Sequence, residues 1–219
     1  MITYEALRRN DAINTYITRA DESLAALGFT EHSFPHVCHV AQMAGELLRV
    51  LGYDEHTVEM AKIAAYLQDI GNLVNRADHS QSGAVMAFRL LDHMDMEPAD
   101  IATVVTAIGN HDEGTGVPVN AVAAALILAD KSDVRRNRVR NRDIATFDIH
   151  DRVNYSVEYS DLRVLPEEKT ALLELRVDTQ FSSIMDYFEI FMKRMLLCRR
   201  AAETLGLKFR LTINGQQLI

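Results

Sequence analysis

Apolar segments with the repeat of an α-helix fill residues 4–134, and turn-forming residues separate them. The clearest covers 33–51, where Ser33 can cap the helix, Pro35 falls in the first turn and Gly52 follows the end. Because the connections between segments are short, the pattern predicts an α-helical bundle. The predicted helices cover residues 4–27, 33–51, 54–70, 79–94, 98–110 and 118–134.

The pattern changes near residue 145. Residues 153–164 and 170–178 alternate apolar and polar side chains as half-buried strands do, and residues 166–169 can form the turn between them. A long helix at 182–205 and a third strand at 208–213 follow, with a turn signal at Asn214-Gly215. We therefore predict a mostly α fold: a helical domain at 1–144 and a small β-β-α-β subdomain at 145–219 packed on it.

Composition limits the classes of protein to consider. Hydrophobic residues make up 48% of the chain and charged residues 25%, as in ordinary globular proteins. No apolar run approaches the roughly 18 residues of a membrane span, and the N-terminus lacks the features of a secretory signal. Cys38 and Cys198 are far apart in helical patterns, which favours a reducing cytoplasm. The net charge of −8 predicts no general nucleic-acid binding, although residues 135–142 are basic.

Imidazole and carboxylate side chains stand where the helical pattern would direct them inward. Such a mixed set suits Fe, Mn or Zn better than Ca or Mg, which prefer oxygen ligands alone. Asp69 ends an apolar helix, where the helix dipole is unfavourable for an anion and a cation would compensate. Asp130 ends another apolar run and needs a partner, which a metal or the adjacent Lys131 could be. The candidate ligands are His36, Asp69, His79, His111 and Asp130. Each residue alone also has an ordinary explanation, as a surface, capping or loop residue or, for Asp130, as the partner of Lys131.

Two further features suit a phosphate-bearing ligand. Gly114 and Gly116 lie in a loop after His111, where glycine permits close approach of the backbone to a ligand. Lys131 and Arg135 would lie one turn apart, and ammonium and guanidinium groups bind phosphate. For 138–142 we predict a solvated basic face.

Together these residues resemble the HD-domain superfamily of metal-dependent phosphohydrolases over about residues 25–140. The family's first His, followed four and five positions on by small apolar residues, is matched by His36. Its Leu-His-Asp-Ile-Gly-Lys segment is matched by Leu-Gln-Asp-Ile-Gly-Asn at 67–72, and its Ala-Asp-Lys-x-Asp segment by residues 129–133. His79 and His111 fit the further histidines of members that hold two metals. The tail lies outside the resemblance.

The resemblance implies hydrolysis of a nucleotide or another small phosphate ester at one or two Fe, Mn or Zn ions. It implies the five ligands above, with His32, Gln68 and Asp112 as further candidates. Asp69 and Lys131 would take part in catalysis. Substrate binding would involve Lys131, Arg135, Gly114 and Gly116.

Two departures from the family keep alternatives open. Gln68 replaces the imidazole of the His-Asp doublet by a poorer, neutral ligand, and Asn72 replaces a cation that could hold phosphate. The chain could then be a binding or regulatory module with the tail as output or dimerisation surface, or a di-iron oxygenase of the same fold. A structural domain with unrelated histidines is a third alternative. An exposed sheet edge in the tail is compatible with a homodimer.

Overall fold

The computed structural model describes residues 2–219, which form helices and one small sheet. The helices are α1 Tyr4–Arg8, α2 Asp11–Ala26, α3 Phe34–Val50, α4 Glu55–Leu67, α5 His79–His93, α6 Pro98–Gly109, α7 Ala121–Ser132, α8 Ile149–Ser156 and α9 Ile184–Thr204. The strands are β1 Val157–Leu165, β2 Thr170–Val177, β3 Lys208–Ile213 and β4 Gln216–Gln217. The predicted mostly α fold with a β-β-α-β tail is confirmed. No helix within residues 2–219 combines the length and apolar composition needed to cross a membrane.

Helix α7 lies at the centre of the molecule. It is buried from Val122 to Ser132, which explains why its sequence is apolar on every side. Helices α3, α4 and α6 pack on it from the N-terminal part, and α9 packs on it from the tail. Helix α7 therefore carries Asp130 and Lys131, at its C-terminal end, into the interior between the two parts of the chain.

The sheet has the order β1-β2-β3-β4. Strands β1 and β2 are antiparallel, joined by a turn that ends at Lys169, whose φ of 47° is left-handed. Strands β2 and β3 are parallel because α9 forms the crossover between them. Strand β4 was not predicted. Asn214 and Gly215 have φ of 51° and 79°, the left-handed pair that a two-residue hairpin turn requires, and β4 pairs antiparallel with β3 after it.

Two predicted elements are corrected. The helix predicted at 4–27 is two helices, because the Asn10 side chain accepts hydrogen bonds from the backbone N–H groups of Ala12 and Ile13 and starts α2 anew. The strand predicted at 153–164 begins only at residue 157. Its first residues belong to α8, which Asp148 caps by accepting from the N–H of Asp151. The four residues at 153–156 are too few for the alternation of apolar and polar side chains to distinguish a strand from a turn of helix.

Replacing Asn10 by alanine should lower the free energy of unfolding by about 1 kcal/mol, because two N–H groups at the start of α2 lose their acceptor. Urea denaturation measures the change. Asn10→Ser, which keeps a capping oxygen, is the matched control and should retain most of the stability. Equal losses in the two variants would mean that the cap is not the cause.

Candidate metal centre

Gly71 allows the segment that carries Asp69 to pack closely against the start of α5, which carries His79. Residues 70–73 form a tight turn after α4, and the start of α5 lies directly against it. A Cβ on Gly71 would stand 2.0 Å from the carbonyl oxygen of His79 and 2.5 Å from the backbone nitrogen of Gly83. Only glycine fits this contact. The close approach leaves Asp69 Oδ1 3.7 Å from His79 Nε2.

Two groups of buried ligand-type side chains share Asp69. In the first group, His36 Nε2 lies 3.4 Å from Asp69 Oδ2 and 3.2 Å from Asp130 Oδ1. In the second group, His79 Nε2 lies 3.3 Å from His111 Nε2, with Asp69 completing the set. Within each group the ligand atoms all lie within 4.8 Å of one another. The structure thus brings together all five predicted ligands, drawn from α3, the turn after α4, α5, the loop after α6 and α7.

A hydrogen bond on the far side of each ring fixes which nitrogen faces the centre. His36 Nδ1 lies 2.7 Å from Asp133 Oδ2, His79 Nδ1 lies 3.2 Å from the carbonyl of Arg76, and His111 Nδ1 lies 2.7 Å from the carbonyl of Ile108. Each Nδ1–H donates to its oxygen, so Nε2 faces the cluster, as in histidines that bind metals. Asp133 was not predicted as a site residue, although it closes the motif at 129–133.

The two groups differ in protonation. Burial and the nearby Arg138 would lower the pKa of His36, but the adjacent carboxylates of Asp130, Asp133 and Asp69 raise it to about 10. Burial and His111 lower the pKa of His79 to about 4. Without another cation, His36 therefore supplies positive charge among the carboxylates, and metal binding to its Nε2 would release that proton.

The donor set fits a divalent transition metal. Imidazole nitrogens and carboxylate oxygens are the ligands that Fe, Mn and Zn accept. Among the described residues, Asp69 Oδ2 and Gln68 Oε1 are buried without a hydrogen-bond partner. Buried polar atoms are normally satisfied, and a bound cation would satisfy the carboxylate oxygen. Gln68, a candidate ligand, lies within the first group: its Nε2 is 3.3 Å from His36 Nε2 and 3.3 Å from Asp130 Oδ1.

A cavity of about 430 Å³ opens beside the cluster, and its wall includes both cationic and acidic side chains. Arg76 lies over the ring of Phe29, with its guanidinium carbon 5.4 Å from the ring centre, and Arg194 lies 4.7 Å over Phe191. Such stacking holds the guanidinium planes in place. The wall also includes polar residues from α8 and its cap. The titratable residues of the wall are His32, Asp69, Arg76, His79, His111, Glu113, Asp130, Lys131, Arg138, Asp148, His150, Asp151 and Arg194.

Lys131 is a fixed cation at this cavity. Its Nζ lies 2.7 Å from Asp130 Oδ2 and 2.9 Å from Glu113 Oε2, and Glu113 Oε1 also accepts from Arg194 Nε at 3.2 Å. Burial alone would lower the pKa of Lys131, but Asp130 and Glu113 hold it well above its usual value. Lys131 is therefore a charged ammonium group beside these two carboxylates.

The prediction that residues 138–142 form a solvated basic face is wrong for Arg138. Arg138, predicted to lie on a solvated face, is 6% exposed and lines the cavity. It is buried because its guanidinium donates to the backbone carbonyls of Glu31 and Asp133. Arg135 instead donates through Nη2 to Asp133 Oδ2 at 2.9 Å and does not belong to the cavity wall described for residues 2–219. Arg135 thereby helps to fix the Asp133 carboxylate, which accepts the hydrogen bond from His36.

The other predicted candidates occupy different places. His32 lines the cavity with its Nδ1 2.7 Å from the carbonyl of Thr30, and burial holds its pKa well below the usual value, so its ring is neutral. Asp112 Oδ2 accepts from the N–H of Gly114 at 3.1 Å. Gly116 closes the loop, since its N–H donates to the backbone carbonyl oxygen of Asp112 and a Cβ at Gly116 would lie 2.4 Å from that carbonyl oxygen. In the described structure these loop residues lie outside the cavity wall.

Arg76 and Arg194 are site residues that sequence reasoning missed. Arg76 follows Asn72 by four positions and donates to its side-chain oxygen at 3.3 Å, while Asn72 Nδ2 donates to Asp69 Oδ1 at 3.1 Å. The spacing from the motif at 67–72 could have indicated Arg76. For Arg194 the sequence carries no local signal, because α9 reaches the cavity only through its packing on α7.

Comparisons with known proteins add two similarities. No family model matches the chain. The chain is 26% identical over 159 residues to an uncharacterized protein of Methanocaldococcus jannaschii, covering 63% of this chain and 61% of that protein, so the match spans less than two thirds of the relative's length. A crystal structure described as a predicted HD superfamily hydrolase, from an uncultured Thermotogales bacterium, is similar at a TM-score of 0.45 and 26% identity. That similarity covers 57% of this chain and 67% of the other.

Proposed function

We propose that the chain is an HD-type metal-dependent phosphohydrolase that acts on a small phosphate ester, a nucleotide being one such substrate. The observation that carries this is the convergence of three imidazole groups on the carboxylates of Asp69 and Asp130, beside a cavity whose wall includes three arginines. The order of the ligands along the chain and the motifs at 67–72 and 129–133 support the family assignment.

Asp69, His79 and His111 would hold one divalent ion, and His36, Asp69 and Asp130 would hold another. A bound ion would supply Lewis acidity, which lowers the pKa of a water molecule and neutralises charge on a phosphoryl group. The chain's contribution is to fix the ligands: Asp133 and the carbonyls of Arg76 and Ile108 orient the imidazoles.

Cationic residues on the cavity wall would bind the phosphate. Arg76, Arg138 and Arg194 present guanidinium groups, which bind phosphate oxygens in pairs. Arg76 supplies positive charge near Asp69 although Asn72 stands where the family has lysine. Lys131 has two carboxylate partners, so its contribution to phosphate binding is smaller than that of Arg76.

The test is turnover by protein loaded separately with Mn²⁺, Zn²⁺ or, anaerobically, Fe²⁺. Phosphate release is measured with a panel of phosphate monoesters, diesters and nucleotides, and oxygen consumption is followed in parallel with the iron form. We expect metal-dependent phosphate release that is absent in metal-stripped protein. Metal binding without phosphate release would contradict the proposal and favour a binding module. Oxygen consumption coupled to substrate loss would favour the oxygenase.

Replacing Arg76 by glutamine should lower kcat/KM roughly 10- to 100-fold, mainly through KM, because a charged hydrogen bond to phosphate contributes about 1.5–3 kcal/mol. Metal content should stay unchanged. Arg142→Gln removes an exposed arginine of the basic segment and is the matched control. Steady-state kinetics with the best substrate of the panel measure the effect. Equal kinetics in both variants would remove Arg76 from the substrate site.

A further inference from the structure

The two ligand groups around Asp69 are not equivalent, and Gln68 is the residue that makes them differ. The Gln68 amide lies within the first group, 3.3 Å from both His36 Nε2 and Asp130 Oδ1. Its nitrogen therefore approaches the same two atoms that a metal ion would use. For an ion to bind there, the amide must turn away or rotate so that its oxygen faces the group, and the hydrogen bond to Asp130 is lost.

Asp130 is also weakened as a ligand. Its Oδ2 pairs with Lys131 Nζ at 2.7 Å, and the Lys131 side chain is buried. A cation at this distance draws negative charge away from the carboxylate that the first group depends on. If Gln68 rotates to offer its oxygen, it provides a neutral amide ligand, which first-row metals bind less strongly than imidazole.

The second group has no amide between its ligand atoms and no ammonium paired with its carboxylate; its competing donor is Arg76, whose Nη1 lies 3.5 Å from His79 Nε2 and which stands at the cavity wall, where its side chain can turn aside. His79 Nε2 and His111 Nε2 lie 3.3 Å apart with Asp69 Oδ1 beside them, and their Nδ1 atoms have backbone carbonyls as partners. These carbonyls belong to the loop before α5 and to α6, so the rings keep their orientation without any other side chain. The group presents two imidazoles and a carboxylate, a common set of three protein ligands for a transition metal.

We propose that the chain binds one divalent ion tightly on Asp69, His79 and His111, and that Gln68 weakens the His36–Asp130 group so that a second ion binds there at least about tenfold less tightly. This inference rests on the proposed function and states which of the two ligand groups holds the tightly bound ion. It assigns Gln68 the role of setting the number of tight ions.

Equilibrium dialysis with Mn²⁺ tests the assignment in the full chain. The unsubstituted protein should bind one tight equivalent and a weaker second one. His111→Ala should lose the tight equivalent, whereas His36→Ala should keep it with an unchanged dissociation constant. Two equivalents with dissociation constants within tenfold of each other would overturn the proposal, and so would loss of the tight ion in His36→Ala but not in His111→Ala.

Gln68→His and Gln68→Glu test the role of the amide directly, by restoring an imidazole or supplying an anionic ligand of similar size. Either folded variant should bind two tight equivalents, and the electron paramagnetic resonance spectrum of Mn²⁺ should change from that of isolated ions to that of a coupled pair. Thermal melting checks that each variant is folded. One tight equivalent in both folded variants would overturn the role of Gln68. These results are independent of turnover: a protein that binds one tight ion but releases no phosphate would contradict the proposed function alone.

Discussion

Asp69→Asn should remove tightly bound metal from the protein and abolish phosphate release while leaving the fold intact. Asp69 is the ligand common to both groups, with Oδ2 3.4 Å from His36 Nε2 and Oδ1 3.7 Å from His79 Nε2. The amide has almost the same volume, so packing is preserved, but the negative charge between the two groups is lost. Metal affinity should fall by more than the roughly 10- to 100-fold that removal of an outer hydrogen-bond partner costs.

Elemental analysis after dialysis against metal-free buffer measures the loss, and phosphate release measures its consequence. Asp92→Asn is the matched control, since Asp92 is exposed on α5. The control should keep both the metal and the activity. Retention of a full equivalent of metal by Asp69→Asn would contradict the account of the centre.

Gly71→Ala should destabilise the protein more severely than ordinary overpacking, which costs about 1–3 kcal/mol. The added Cβ would lie 2.0 Å from the carbonyl oxygen of His79 and 2.5 Å from the nitrogen of Gly83, and backbone atoms cannot yield as a flexible side chain can. The start of α5 would have to move away from the turn at 70–73. The same movement would separate His79 from Asp69, so metal affinity should fall together with stability.

Gly109→Ala is the matched control for Gly71→Ala. Gly109 is also buried, but a Cβ there would meet Ala84 at 3.7 Å, an ordinary contact. Because alanine favours the helix by up to about 1 kcal/mol, Gly109→Ala should be neutral or stabilising. Urea denaturation of both variants measures the difference. Similar stability in the two variants would mean that the turn at 70–73 can relax around a methyl group, so that glycine is not required at position 71.

Much of the helical part could be predicted because its signals are local. Ser33, Pro35 and Gly52 bound the helix that the structure places at Phe34–Val50, and Pro98 starts α6. The start of α2 was missed although Asn10 is a good capping residue, since the apolar repeat continues across it. Strand β4 is only two residues long, too short for any periodic pattern.

Some residues of the candidate site also have local sequence signals, and others do not. His36, Asp69 and Asp130 were predictable because they end or begin apolar helices in a recognisable order. The rest of the cavity wall was not predictable, because it forms where α9 and the segment around α8 pack against the helical part. Charge alone could not distinguish Arg138, which is buried and lines the cavity, from Arg142, which is exposed. Arg138 is buried because its guanidinium donates hydrogen bonds to the backbone carbonyls of Glu31 and Asp133, and these contacts cannot be inferred from its charge.

The most direct test of the central claim is anomalous diffraction at the manganese absorption edge, on crystals grown with Mn²⁺. We expect a peak within coordination distance of Asp69, with His79 and His111 as its other protein ligands. A second, weaker peak near His36 and Asp130 would agree with the role of Gln68. Manganese bound away from Asp69, or no peak at the cluster in saturating Mn²⁺, would contradict the account.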